Sequence, residues 1–170
     1  MTRDEILIEF ITRAHDSLES LGEVDAATAS RSPGGHPNSL TWLLWHTGRM
    51  LDIQLSELSG QPQLWHTLEL RRQLGLGELG DGMGYGHSDD EARAIQVHRA
   101  EDVRGLMSYV HACLDDVQCY ALSGPDLDEV IDTSFTPPVT RGARIVSLID
   151  DAIQHLAQAH YAARILGSRA

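Results

Sequence analysis

Asp151 and His155 stand four residues apart in the run Asp150-Asp151-Ala152-Ile153-Gln154-His155-Leu156. On a helix that spacing puts two side chains one turn apart on the same face, where both can reach a common point. A carboxylate oxygen and an imidazole nitrogen are both ligands for divalent metals such as zinc. Leu148, Ala152, Leu156 and Ala159 surround the pair with apolar residues, so this face turns toward a core. An aspartate placed there must be paired, protonated or bound to a cation. Far upstream, His46 lies in the apolar run Trp42-Leu43-Leu44-Trp45-His46-Thr47. Two imidazoles and one carboxylate from two facing helices would hold one ion and leave a coordination position open, as catalytic zinc sites do. Residue types and spacing leave a second reading: His46 as a core histidine satisfied by hydrogen bonds, Asp151 and His155 as an ion pair on a solvated face.

Several other residues could serve such a site. Arg49, three after His46, offers a cation for a carboxylate on a bound ligand, or else is a solvated surface arginine. Tyr85 and His87 lie in the glycine-flanked loop Gly84-Tyr85-Gly86-His87-Ser88 and could close over the site as hydrogen-bond or proton donors. Packing within the loop is their other role. Gln158, nearly one turn beyond His155, can orient it from behind, or face a neighbouring helix. Trp42 and Trp65 are candidate walls, with plain core packing as the alternative. His160 is five residues from His155, about 140° round a helix, and should not share the ion.

The elements that must position these residues read as helices. Thr2-Arg3-Asp4-Glu5 is a capping box, followed by Ile6, Phe10, Ile11, Ala14, Leu18 and Leu21 at helical spacing up to Gly22. Proline, glycine and serine between Ala29 and Asn38 predict a loop. From a cap at Asn38 or Ser39 a second long helix runs to Gly60 and carries Trp42 and His46. A short helix is expected around Leu64 to Leu74, then a glycine-rich loop from Gly75 to Gly86 with neither the spacing nor the Lys-Ser/Thr of a phosphate loop. Ser88-Asp89-Asp90-Glu91 is a second capping box, opening a helix expected to bend near Ala100 and run to about Leu122. A short extended piece fits Leu127 to Thr136, no sheet is expected, and a last helix spans about Thr140 to Leu166. The fold class expected is all-α, a four-helix bundle with a long crossover connection, in one domain over 1–170.

Composition excludes several function classes. The chain of 170 residues has 13 basic and 25 acidic side chains, a formal charge of −12, which repels phosphate backbones and anionic lipid. No nucleic acid and no membrane partner is expected. No apolar run reaches the roughly 18 residues of a membrane span, and the first residues do not read as a signal peptide, so a cytoplasmic protein is expected. Cys113 and Cys119, six apart in one helical pattern, read as reduced packing residues.

Four phrases carry a family resemblance: Asn38-Ser39-Leu40-Thr41-Trp42-Leu43-Leu44-Trp45-His46, Gly84-Tyr85-Gly86-His87-Ser88, Pro137-Pro138-Val139-Thr140-Arg141-Gly142 and Asp150 to Gln158. In order and separation they resemble the DinB-like metal-dependent thiol transferases, and the match covers most of the chain from Asn38 to about Leu166. The resemblance implies one divalent metal, Zn or Ni, on His46, Asp151 and His155. It implies as well a low-molecular-weight thiol cosubstrate such as mycothiol or bacillithiol, added to an electrophilic small molecule in a detoxification role. Many members have histidine at the Asp151 position, and the branch similar to mycothiol-dependent maleylpyruvate isomerase has glutamate. Aspartate is a shorter ligand of the same chemistry. Ala157 stands where glycine is frequent, and Arg164 one place later than the usual arginine.

Two other functions remain compatible with the residues. One is a metal-dependent hydrolase using metal-bound water; the other is a non-catalytic bundle binding a metal or small molecule. A homodimer is left open.

Overall fold

The computed structural model describes residues 1–167; the last three positions of the expected 1–170 domain lie outside the described residues. Its first helix forms as the capping box requires. The Thr2 hydroxyl accepts from the Glu5 amide at 3.2 Å, and the Glu5 carboxylate accepts from the Thr2 amide at 2.7 Å. Helix α1 then runs Arg3–Ser20, burying Leu7, Ile11, Ala14 and Leu18 along one stripe. A short helix α2 (Ala26–Ala29) and a 3-10 turn (Pro33–Gly35) interrupt the loop that follows.

Helix α3, Leu40–Ser59, starts where the Ser39 hydroxyl accepts from the Trp42 amide at 3.1 Å and stops at Gly60, whose φ of 71° suits glycine. Every residue from Leu40 to Asp52 is buried, so α3 is enclosed on all sides over most of its length. Gly48 permits its closest contact: a Cβ there would lie 2.5 Å from the Tyr109 ring.

The rest of the chain is α4 (Leu64–Thr67), α5 (Leu70–Leu74), a 3-10 turn (Gly77–Asp81), α6 (Asp89–Ala94), α7 (Ala100–Leu122), β1 (Val130–Asp132), β2 (Val139–Thr140) and α8 (Arg141–Gly167). Three features differ from the sequence reading. The short helix expected over Leu64 to Leu74 is two, broken at Glu69, which takes φ of 52°. The helix opened by the Ser88 capping box does not bend into the next one. It ends at Ala94, and the link continues extended because Ile95 and Val97 drop into the core at 0% and 1% exposure. A small antiparallel pair, β1 with β2, forms where no sheet was expected; it joins the extended piece to the residues after Pro137-Pro138 and abuts the start of α8.

The four long helices pack pairwise, α3 against α7 and α8, and α1 against the same two. Their buried side chains merge into one core cluster. The chain is thus mostly helical, with a two-stranded sheet as its only sheet among the described residues. No helix among those residues is long and apolar enough to cross a membrane.

Candidate metal centre

Helices α3 and α8 bring His46, Asp151 and His155 together, with one ligand atom from each lying within 4.8 Å of the others. His46 Nε2 is 3.1 Å from His155 Nε2 and 3.9 Å from Asp151 Oδ2. His155 Nε2 is 3.4 Å from Asp151 Oδ1. Ligands 2.0–2.1 Å from a tetrahedral ion stand roughly 3.3 Å apart, so the separations fit such an ion with small adjustments.

Hydrogen bonds on the far side of each ring determine what those nitrogens can do. His46 Nδ1 faces the Met83 carbonyl oxygen, and a carbonyl only accepts, so the His46 proton sits on Nδ1. His155 Nδ1 donates to Gln158 Oε1 at 3.1 Å. With both Nδ1 positions protonated, the neutral rings turn two bare Nε2 lone pairs at each other beside a carboxylate. Something positive must lie between them, either a second proton on His155 or a divalent ion. That donor set, two neutral imidazole nitrogens and one carboxylate oxygen with oriented outer partners, fits a divalent ion of the zinc or nickel type.

Electrostatics in the metal-free site agree with this competition. Burial pulls His46 below the ordinary imidazole value, and His155 adds to the lowering. Burial works downward on His155 too, but the hydrogen bond and charge of Asp151, with Gln158, outweigh it and hold His155 above its ordinary value. The same His155 hydrogen bond holds Asp151 below the usual carboxylate range. If the site holds a metal, a proton would therefore compete first at His155, whose value is raised, while His46 and Asp151, both lowered, would take protons only in more acidic solution. Metal affinity is accordingly expected to fall by about tenfold per pH unit below the His155 pKa, and more steeply once His46 also titrates. Equilibrium dialysis with Zn²⁺ between pH 8 and 4 checks this; affinity unchanged down to about pH 5 would point to other ligands.

The remaining sequence candidates divide. Trp42 walls the site: its ring stacks on His46 at 4.6 Å with planes 11° apart and meets His155 edge-on at 6.3 Å. His87 is drawn in beside it, its Nδ1 accepting from Trp42 Nε1 at 3.4 Å and its ring stacked on Trp45 at 5.5 Å. Gln158 sits behind His155, as noted. Tyr85 is not brought in, since its side chain is 93% exposed on the tip of the loop.

Arg49 is not the pocket cation that its spacing suggested. Only 1% exposed, it spends all five N–H donors inside the protein. Nε donates to Gly82 O at 3.1 Å; Nη1 to Asp52 Oδ2 at 3.3 Å and the Tyr109 hydroxyl at 3.2 Å; Nη2 to Gln63 Oε1 at 2.9 Å and Asp81 O at 2.5 Å. Trp65 belongs to this cluster rather than to the metal site. It lies 4.9 Å beneath the guanidinium and donates from Nε1 to Asp81 at 3.0 Å. No sequence signal named Met83, because it acts through a backbone carbonyl. The clue was Gly84 beside it: φ is 86°, and a Cβ there would lie 2.8 Å from Trp45 and 3.0 Å from Trp42.

Fold and site together define a mostly helical protein with a His–Asp–His group able to hold one divalent ion. No protein-family model matches the chain, and no curated protein does. Among solved structures it is similar to a conserved protein of Enterococcus faecalis, with 34% identity, 99% of each chain covered and a TM-score of 0.87. The chain belongs to the same family as that protein.

Proposed function

We propose that this protein is a DinB-like four-helix bundle enzyme that adds a low-molecular-weight thiol to an electrophilic small molecule, with one divalent metal held by His46, Asp151 and His155. The observation that carries the reading is the pair of Nε2 atoms 3.1 Å apart beside Asp151, each ring anchored through its Nδ1. The four sequence phrases that resemble the thiol transferases add the chemistry. A bound divalent ion supplies positive charge that favours thiolate over thiol, whose free pKa is about 8.5.

In the reaction the thiol gives up its proton, sulfur bonds to the electrophilic carbon, and the electron pair displaced there collects a proton. His87 suits the holding of that proton: its Nδ1 accepts from Trp42, so its own proton sits on Nε2. Gln158 keeps His155 turned inward, and Trp42 shields both rings from water on one side. A cleft of about 620 Å³, lined by Leu43, Gln158, Tyr161 and Ile165 among others, adjoins His155 through Gln158 and gives room for an apolar body.

Substitution with Co²⁺ tests the proposal, because sulfur bound to cobalt produces intense charge-transfer bands. Mycothiol, bacillithiol or glutathione at millimolar concentration is expected to give such bands in wild-type protein and in the Cys113→Ser/Cys119→Ser double variant, and none in His46→Ala. A spectrum unmoved by all three thiols would overturn thiol transfer and favour a hydrolase.

A further inference from the structure

Arg49 lies one turn from His46 on α3 yet touches none of the three ligands, and its two carbonyl partners, Asp81 O and Gly82 O, are successive. The next residue, Met83, supplies the oxygen that faces His46 Nδ1. One side chain thus grips the strand of backbone immediately before the carbonyl that orients a ligand. From the other end Gly84, at φ of 86° and against Trp42 and Trp45, presses the same segment onto α3. Trp45 Nε1 donates to Gly80 O at 3.1 Å and completes the clasp.

We infer that Arg49 is a positioning residue for the metal centre, holding Asp81 and Gly82 so that the Met83 carbonyl keeps the His46 proton on Nδ1 and its Nε2 free for the ion. The inference rests on the metal reading above for its last step only. The guanidinium is suited to the task because its planar fork binds several oxygens at fixed angles, which an ammonium does not. Without the clasp a glycine-rich segment samples many backbone states, and a neutral His46 can carry its proton on either nitrogen. The far end of the cluster, where the Tyr109 hydroxyl and Asp52 meet Arg49, stabilises the fold but makes no bond to residues 80–83.

The test compares Arg49→Lys, Gly84→Ala and Tyr109→Phe with wild type, first metal-free and then with Zn²⁺ and Co²⁺. Long-range proton–nitrogen NMR on the metal-free protein, at a pH where His46 is neutral, is expected to show the Nδ1–H form of His46 in wild type and Tyr109→Phe, and a mixture of both forms in Arg49→Lys. Zinc affinity by chelator competition should fall about 10–100-fold in Arg49→Lys, the range for loss of an outer partner, with a changed cobalt spectrum. Tyr109→Phe should lower the melting temperature and leave affinity within about twofold of wild type. Gly84→Ala disturbs the same segment without touching Arg49 and should resemble Arg49→Lys, which decides the matter if the lysine variant fails to fold. An unchanged His46 proton in a folded Arg49→Lys or Gly84→Ala protein, or an equal loss of affinity in Tyr109→Phe, would overturn the inference. If wild type takes up no metal, the metal reading fails, and the NMR comparison still decides the role of Arg49.

Discussion

His155→Ala is expected to abolish stoichiometric uptake of a divalent ion, while the wild-type chain takes up one Zn²⁺ or Ni²⁺ at the same concentration. His155 Nε2 is the atom nearest both other ligands, at 3.1 Å from His46 and 3.4 Å from Asp151. Removing it leaves one imidazole and one carboxylate 3.9 Å apart, two ligands instead of three. Structural zinc sites bind with roughly 10–16 kcal/mol of apparent free energy, so losing one of three protein ligands should weaken binding by more than the 10–100-fold typical of an outer partner. Metal analysis and titration calorimetry on both proteins measure the difference. His160→Ala is the control: its Nε2 is engaged with Ser17 O at 2.7 Å, away from the site, and the variant should keep full occupancy. Full occupancy in His155→Ala would remove the three residues from consideration as the ligand set.

The three residues of the candidate metal site could be picked out in the sequence because two of them obey helical spacing and the third lies in an apolar run. Asp151 and His155 are an i,i+4 pair, and the apolar surroundings of His46 forced its ring inward, so two facing helices were enough to bring the three together. Capping chemistry was equally legible. Thr2, Ser39 and Ser88 each accept an amide as their positions require, and Gly60 ends α3 in the left-handed region. Hydroxyls and glycines at helix ends act locally, within four residues, and local rules survive folding.

What stayed hidden depends on contacts far apart in sequence. The link after α6 is extended because Ile95 and Val97 find room in the core, which no window of neighbouring residues reveals. Arg49 sits at helical spacing from His46, and by that rule it points at the ligand pocket. Its actual direction is set by Asp52, Gln63, Tyr109 and two carbonyls of the glycine-rich loop, three of these partners lying 32 to 60 residues away. From the sequence, Tyr85 and His87 in this loop could either close over the site or pack within the loop. Two of its glycines, Gly80 and Gly84, instead bring backbone against the rings of Trp65, Trp42 and Trp45, while Tyr85 at its tip faces water.

The cluster around Arg49 also carries the largest expected effect on stability, through Asp52. This carboxylate is 6% exposed and accepts from the Leu64 and Trp65 amides at 2.8 Å each, from the Tyr109 hydroxyl at 2.7 Å and from Arg49 at 3.3 Å. The two amides are at the start of α4, where Gln63 gives no side-chain cap, so Asp52 does that job from another helix. Burial pushes the Tyr109 hydroxyl far above its ordinary value, which keeps it protonated and donating. Asp52→Ala would therefore strand two amides and a hydroxyl and leave the Arg49 charge buried without its anion. Breaking a buried pair from one side costs about 3–5 kcal/mol. Tyr109→Phe, which removes one hydroxyl, should cost about 1 kcal/mol or somewhat more. Against a total stability of roughly 5–15 kcal/mol, the first loss removes a large share, and nearly all of it at the lower end of that range. Urea unfolding followed by tryptophan fluorescence measures both, since Trp65 reports from the cluster itself. Asp52→Asn keeps one acceptor oxygen but not the charge and should fall between the two. A cost below about 1 kcal/mol for Asp52→Ala would mean that the carbonyls of Asp81 and Gly82 suffice to hold the arginine, and that the carboxylate adds little to it.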